Sequence, residues 1–328
     1  MMKNDLIARV TEILKEAGFI VSSRCKAKSF DLAARRGDLI LLVKVLYNID
    51  GLSDEIARSI KRAAFSLLAS PVIVGERKGS FFLEDDVIYH RHGIPAINVN
   101  TLSDYFIAGV RPYVYSATGG LYVNINGELM RMASEKKELS LGDIASRLGV
   151  SRRSVSKYEE GGVSTTIDIA LKLEEILDTV LIEPLEFLAN ERKEPLPPEV
   201  TEAGIDDATS DLERYILGMM EEIGFEIFTT THAPFNAVSL SQLRSRNESI
   251  RILTGISKYT QQVIKRARIL SSLSTVTNTH SVFVVNGNVK RVQVDHTVLM
   301  EKEELKRIRD PEEFTCVIRE KMSNDRDG

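Results

Sequence analysis

Residues 140–161, Ser-Leu-Gly-Asp-Ile-Ala-Ser-Arg-Leu-Gly-Val-Ser-Arg-Arg-Ser-Val-Ser-Lys-Tyr-Glu-Glu-Gly, constrain the fold more than any other part of the chain. They read as two short helices joined by a tight turn, the unit that lays its second helix in the major groove of DNA. Ala145 falls where two helix backbones must approach closely, and Gly149 follows where the turn favours a positive φ. Ile144, Leu148, Val150, Val155 and Tyr158 supply the apolar contacts between the two helices. Ser151 is placed to cap the second helix, its hydroxyl accepting from N–H groups one turn in. With Val155 and Tyr158 inward, Arg152, Arg153, Ser154, Ser156 and Lys157 form the outward side. Arg pairs bidentately with guanine O6 and N7, so Arg152 and Arg153 are expected on bases or phosphates and Lys157 on phosphate.

Charge supports this reading. The 328 residues hold 43 basic and 47 acidic side chains, a net charge of −4, which excludes a uniformly basic coat. Between Arg131 and Lys157, however, seven basic residues face three acids, giving the local cationic face that phosphate neutralisation needs. Arg131, Lys136 and Lys137 belong to that face; Arg131 and Lys137 are further candidate DNA contacts, against the plainer alternative of a solvated helix side.

The block resembles the Cro/C1-type helix-turn-helix domain over about residues 127–189. Residues 127–139 resemble that family's first helix, with Arg131 at its usual basic position. Residues 164–188 resemble its closing helices, with Ile167, Ala170, Leu173, Ile176 and Leu177 in a helical stripe. Leu141 stands where many relatives carry Gln, and Ser134 replaces a common second Arg. The resemblance implies a two-fold pair reading two half-sites of double-stranded DNA.

Residues 1–115 read as a separate α/β unit. A helix over 5–17 is followed by strands at 19–21, 29–33 and 39–46, a second helix capped by Ser53, and a core strand at 71–75. Residues 111–120 read as the connection into the helix-turn-helix domain, 121–190. Residues 191–210, proline-containing and acidic, read as an extended, solvated linker. The remainder, 211–328, repeats features of the first unit. Glu-Ala-Gly-Phe-Ile-Val at 16–21 matches Glu-Ile-Gly-Phe-Glu-Ile at 222–227, and Phe30-Asp31 matches Phe235-Asn236. Ile60-Lys61-Arg62-Ala63 recurs as Ile264-Lys265-Arg266-Ala267, and 72–75 corresponds to 282–285. Identities in one order, at an offset that drifts little over the aligned helices, indicate duplication, against a chance likeness of two α/β units.

The first unit, with Asp31 and Leu42-Val43-Lys44, resembles the PD-(D/E)XK nuclease-like fold. The resemblance implies an Asp, plus a Glu two positions before a Lys, holding a divalent metal for phosphodiester cleavage. Here Leu42 stands at the acidic position. In the second copy Asn236 replaces the Asp, and no acid-x-Lys pattern surrounds Gly255. Both copies read as degenerate, so neither metal nor cofactor nor catalytic residue is expected. His90 and His92 alternate as on one strand face, without a third ligand. Two distant cysteines, Cys25 and Cys316, exclude a disulfide framework, and no apolar run is long enough to span a membrane.

The chain thus reads as multidomain: a PD-(D/E)XK-like α/β domain, an all-α Cro/C1-type domain and a second degenerate α/β nuclease-like domain. Nearly its full length resembles an archaeal family of helix-turn-helix transcriptional regulators, with Arg91-His92-Gly93-Ile94-Pro95 among the similar segments. The expectation is a cytoplasmic, dimeric, sequence-specific reader of double-stranded DNA, not an enzyme; the sequence names no effector. A metal-dependent nuclease steered by the helix-turn-helix domain, and a ligand-sensing or protein-interaction scaffold, are the alternatives.

Overall fold

The computed structural model describes residues 3–188, 198–202, 204–205, 210–243 and 248–323. Two compact units result: Met1–Leu46 with Gly51–Ile73 and Ala189–Gly328, and Tyr47–Asp50 with Val74–Leu188.

The first unit begins with α1 (Lys3–Glu16), whose Leu6, Ile7, Val10 and Leu14 bury one helical face. The strands β1 (Ile20–Val21), β2 (Leu32–Arg36) and β3 (Leu39–Asn48) follow as neighbouring antiparallel pairs. The second strand starts three residues later than the sequence pattern suggests. Residues 25–31 are instead tied into a loop, with the Cys25 N–H donating to the Asp31 carbonyl. Ser53 caps α2 (Asp54–Ser66) as its position predicts, accepting from the Ile56 N–H, with Asp54 and Glu55 favourably placed in the first turn. Strand β4 (Ser70–Lys78) then passes from this unit into the other.

Past the second boundary lie α8 (Pro198–Thr201), α9 (Asp211–Ile223), β12 (Glu226–Thr229), β13 (Ala237–Leu243) and β14 (Glu248–Lys258). They are followed by α10 (Gln261–Thr277), β15 (His280–Asn286), β16 (Gln293–Val294), β17 (Thr297–Glu301), α11 (Lys302–Leu305) and α12 (Pro311–Ser323). Of the expected linker, 191–197, 203 and 206–209 lie outside the described residues. The described part is docked rather than solvated: α8 packs on α2, Val200 is buried, and the Gly204 N–H donates to the Ile227 carbonyl at 2.6 Å.

The two halves of this unit share one core. α2 packs against β12 and β13 while α10 packs against β2, a reciprocal arrangement. The paired positions Phe30 and Phe235 meet with ring centroids 6.4 Å apart. Leu42, Ala63 and Leu67 from one half join Val238, Leu253, Ala267 and Phe283 from the other in a single apolar cluster. Each buried Leu or Phe contributes about 1.5–3 kcal/mol, so neither half is an independent shell around its own core. Arg35 Nε reaches the Val276 carbonyl at 2.8 Å, and the Ser29 N–H donates to the His232 carbonyl at 3.0 Å. A second cluster, around Met220, Ile252, Val284 and Phe314, lies between the other sheet face and α9 and α12.

The second unit holds the end of β4, then β5 (Phe81–Phe82), β6 (Val87–Arg91), β7 (Ile94–Ile97), α3 (Val99–Ser103), β8 (Val114–Ala117) and β9 (Gly120–Ile125). After these come α4 (Gly127–Lys136), α5 (Leu141–Leu148), α6 (Arg152–Glu160), β10 (Ser164–Thr166), α7 (Ile167–Leu177) and β11 (Ile182–Glu183). Sheet order is β4-β7-β6-β8-β9-β10, with β11 also on β9.

This corrects three expectations. The 121–190 region is not all-α, because its helices sit on the antiparallel strands β9, β10 and β11. Residues 111–120 are no plain connection, since Val114–Ala117 form β8, parallel to β6. Residues 164–188 hold one helix. It stops at Asp178 in the left-handed region, and the Glu174 carboxylate accepts from the Leu181 and Ile182 N–H groups, turning the chain into β11. His90 and His92 also part company: Arg91 pairs with Ile94, so His92-Gly93 form a two-residue hairpin turn with both φ positive.

Candidate nucleic-acid interface

The turn between α5 and α6 is fixed by local chemistry. Ser140 and Asp143 form a reciprocal capping box, the Ser140 N–H donating to the carboxylate at 2.9 Å and Ser140 Oγ accepting from the Asp143 N–H at 3.2 Å. The Ser140 hydroxyl, which also donates to that carboxylate at 2.6 Å, and the Ser140 N–H hold the Asp143 carboxyl below its ordinary pKa. Gly149 ends α5 at φ +71°. Ser151 caps α6, its Oγ accepting from the Ser154 N–H at 3.1 Å. Ile144, Ala145, Leu148 and Val155 are buried with Met130, Ala170 and Leu173 in one cluster, and the Tyr158 hydroxyl accepts from Thr165 at 3.1 Å.

One positioning residue escapes sequence reasoning. A Cβ on Gly127 would lie 2.4 Å from the Glu159 carbonyl oxygen and 2.8 Å from both the Tyr158 oxygen and the Gly161 nitrogen. The start of α4 therefore rests directly on the backbone that ends α6. Its only sequence signal is a glycine at the first position of a helix, just after the cap Asn126.

Arg152, Arg153 and Lys157 lie exposed on α6, and no described residue pairs with them. Ser154 and Ser156 are already engaged: Ser154 Oγ lies 2.8 Å from Ser151 Oγ, and Ser156 Oγ donates to Glu160 at 2.9 Å. Arg131 is exposed on α4, which packs against α6. Lys137 Nζ donates to the Ile176 carbonyl at 3.2 Å, securing the end of α7 rather than standing free.

The nuclease-like positions form a different kind of site. Asp31 is buried, with Lys3 Nζ 2.9 Å from Oδ1, Lys44 Nζ 3.7 Å from Oδ2, and the Val45 N–H donating to Oδ2 at 2.9 Å. Burial lowers the Lys44 pKa, opposed by the charge of Asp31. Leu42, at the acidic position, is wholly buried in the shared apolar cluster. One carboxylate neutralised by two ammonium groups beside an apolar side chain does not fit a divalent cation, which needs several anionic oxygens. Among the described residues, no group of three or more His, Cys, Asp and Glu side chains is placed to hold a metal.

The backbone pairs Asn236 with Asp31. The Asn236 N–H donates to the Thr254 carbonyl as the Asp31 N–H does to that of Val43, and Asn236 Oδ1 accepts from the Ile256 N–H as Asp31 accepts from Val45. Gly255 thus corresponds to Lys44 and Leu253 to Leu42. Phe283 covers Gly255, where any Cβ would meet the ring at 2.6 Å. Asn236 donates to Glu213 at 2.6 Å, replacing the acid–ammonium contact with an amide–carboxylate one.

A model of the PD-(D/E)XK superfamily domain matches residues 3–112, and one described as helix-turn-helix matches 130–183. The chain is similar to three proteins each named "Putative HTH-type transcriptional regulatory protein". The one from Methanococcoides burtonii is 43% identical over 323 residues, covering 98% of both chains. The one from Methanosarcina mazei is 42% identical over 327 residues, again 98% of both. The one from Natronomonas pharaonis is 43% identical over 326 residues, 98% of this chain and 99% of its own. No solved structure matches.

Proposed function

The chain belongs to the archaeal family of HTH-type transcriptional regulatory proteins, and from that premise we propose that it reads operator sequences by laying α6 in the major groove of double-stranded DNA. The observation that carries this reading is the exposed, unpaired trio Arg152, Arg153 and Lys157 on a helix capped by Ser151 and held by a buried apolar seam. Arg152 and Arg153 contact base edges, Lys157 and Arg131 the phosphates. Two chains bind a two-fold site as a homodimer in the cytoplasm; no described helix is long and apolar enough to cross a membrane.

The reading divides the chain into a nuclease-like domain at 1–115, the reader at 121–190, a linker at 191–210 and a second α/β domain at 211–328. The last is a degenerate repeat of the first. In its support, β12-β13-β14-β15-β17-β16, with α10 between β14 and β15, repeats the order β1-β2-β3-β4-β7-β6, with α2 between β3 and β4. Neither copy cleaves DNA, because leucine occupies both acidic positions and Asp31 is spent on Lys3 and Lys44. The apolar surfaces that the two halves turn toward each other are buried in one cluster, so they are not available for homodimer contacts.

The test compares Arg152→Ala and Arg153→Ala with the parent on matched and mismatched duplexes. Loss of base discrimination at defined positions supports the assignment; unchanged discrimination refutes it.

A further inference from the structure

The second unit carries an exposed feature that the DNA-reading helix does not use. β4 turns back through Gly79-Ser80 into β5, with Arg77 opposite Phe82 and Lys78 opposite Phe81. Phe81 is 78% exposed and Phe82 63%, unusual for adjacent aromatic side chains on ordered backbone. The hairpin is nevertheless held rigidly. Asp50 Oδ2 accepts from the Gly79 N–H at 2.8 Å, and Asn48 Nδ2 donates to the Gly79 carbonyl at 3.1 Å. Arg77 Nη1 donates to the Ser80 carbonyl at 2.9 Å, while its guanidinium stacks 3.7 Å from the Phe82 centroid.

Alternation along the strands puts Arg77 and Phe82 on one face of the hairpin and Lys78 and Phe81 on the other, so each face pairs one cation with one aromatic ring. Beside the Lys78 face a cavity of about 420 Å³ reaches the β8–β9 hairpin. Its lining is Lys78, His90, Tyr115, Ser116, Ala117 and Thr118, an ammonium, an imidazole and three hydroxyls without a carboxylate.

We propose that the β4–β5 hairpin is a second DNA contact, in which Phe81 wedges against a base step of duplex DNA, Phe82 backs it from the other face under Arg77, and the Lys78 cleft holds the adjoining phosphate. A thin, rigid blade with exposed apolar tips and a cation on each side has the form of side chains that unstack a step and bend the duplex. The uncharged hydroxyls and the lysine of the cleft complement a phosphodiester, and the lack of a carboxylate there removes the repulsion an acidic lining would impose. The inference rests on the DNA-reading function proposed above.

The experiment uses the full chain and a Phe81→Ser/Phe82→Ser double variant, both positions being exposed, with circular dichroism melts confirming the fold. Each binds a duplex carrying the sequence selected by the parent chain, with dyes at the two ends to report bending. The parent is expected to bring the ends closer. The variant is expected to lose most of that bend and on the order of tenfold in affinity, with base preference at the selected motif unchanged. A variant that bends and binds DNA like the parent overturns the wedge, as does a parent that leaves the duplex straight. If the hairpin docks a protein instead, the variant's DNA binding is unaltered, which is the same refutation. Failure of the reading itself looks different: the parent then selects no motif at all.

Discussion

Replacing Gly127 with alanine tests whether the contact between α4 and the end of α6 positions the reading helix. The added methyl would stand 2.4 Å from the Glu159 oxygen and 2.8 Å from two further backbone atoms, none of which can rotate aside. Restoring ordinary separation takes a displacement of about 1 Å of one helix relative to the other. Overpacking of this kind costs about 1–3 kcal/mol. Alanine's better helix propensity returns at most about 1 kcal/mol, and less at the first turn. A net loss of roughly 1–2 kcal/mol lowers the melting temperature by several degrees. Gly149→Ala is the control with a different cause: no atom lies within 4 Å of its Cβ position, and only the φ of +71° penalises the change. The two variants, made in the full chain, are compared by thermal melts and by anisotropy on the selected duplex. Gly127→Ala should lose stability and base discrimination together, because α6 itself moves. A Gly127→Ala protein that melts and discriminates like the parent would refute the close-approach argument.

Four further outcomes follow from the same structure. Arg152→Ala should cost about 1–3 kcal/mol of binding if a bidentate base contact is lost, and relax preference at one position. Lys157→Ala should weaken all duplexes alike and reduce the salt slope by about one, read from affinity against salt. Asp31→Ala should destabilise the chain by about 3 kcal/mol in urea melts, since it strands a buried ammonium at Lys44. Because Lys44 already has a lowered pKa, the unfolded chain binds its proton more tightly, so this contribution makes stability rise as pH climbs from the lowered folded value toward 10.5; in the variant the rise should begin at lower pH. Burial pushes the Cys25 thiol up to about 12, and Cys316 is exposed. A thiol reagent should therefore label Cys316 alone in the native chain, with Cys25 reacting only on unfolding. Between the unfolded thiol's 9.0 and about 12 the folded chain holds more protons, so Cys25 contributes falling stability as pH rises through that window.

Local chemistry made the helix-turn-helix legible. The Ser151 cap, the glycine at the turn and the apolar seam each act within a few residues, so their spacing survives in the sequence. The proposed repeat rests in the sequence on shared identities such as Ile60-Lys61-Arg62-Ala63 and Ile264-Lys265-Arg266-Ala267. What the two halves do with their apolar faces was not legible there. Leu42 was marked by the sequence at the acidic position, but only tertiary packing brings it into one core with Leu253. Lys3 is 28 residues from Asp31 along the chain, so the ammonium that neutralises the carboxylate left no motif. The strands β8, β10 and β11 are two to four residues long, too short for alternation to show. Of the expected DNA contacts, the exposed Lys137 also donates to a carbonyl at the end of α7, a partner no helical wheel contains.

The most direct test of the account is selection of bound sequences from random duplex DNA by the full chain, at physiological salt with Mg²⁺ present and product length checked. The account predicts recovery of an intact, enriched, two-fold symmetric motif. Recovery without enrichment would contradict a sequence reader, and shortened DNA would contradict the loss of cleavage at Asp31 and Leu42.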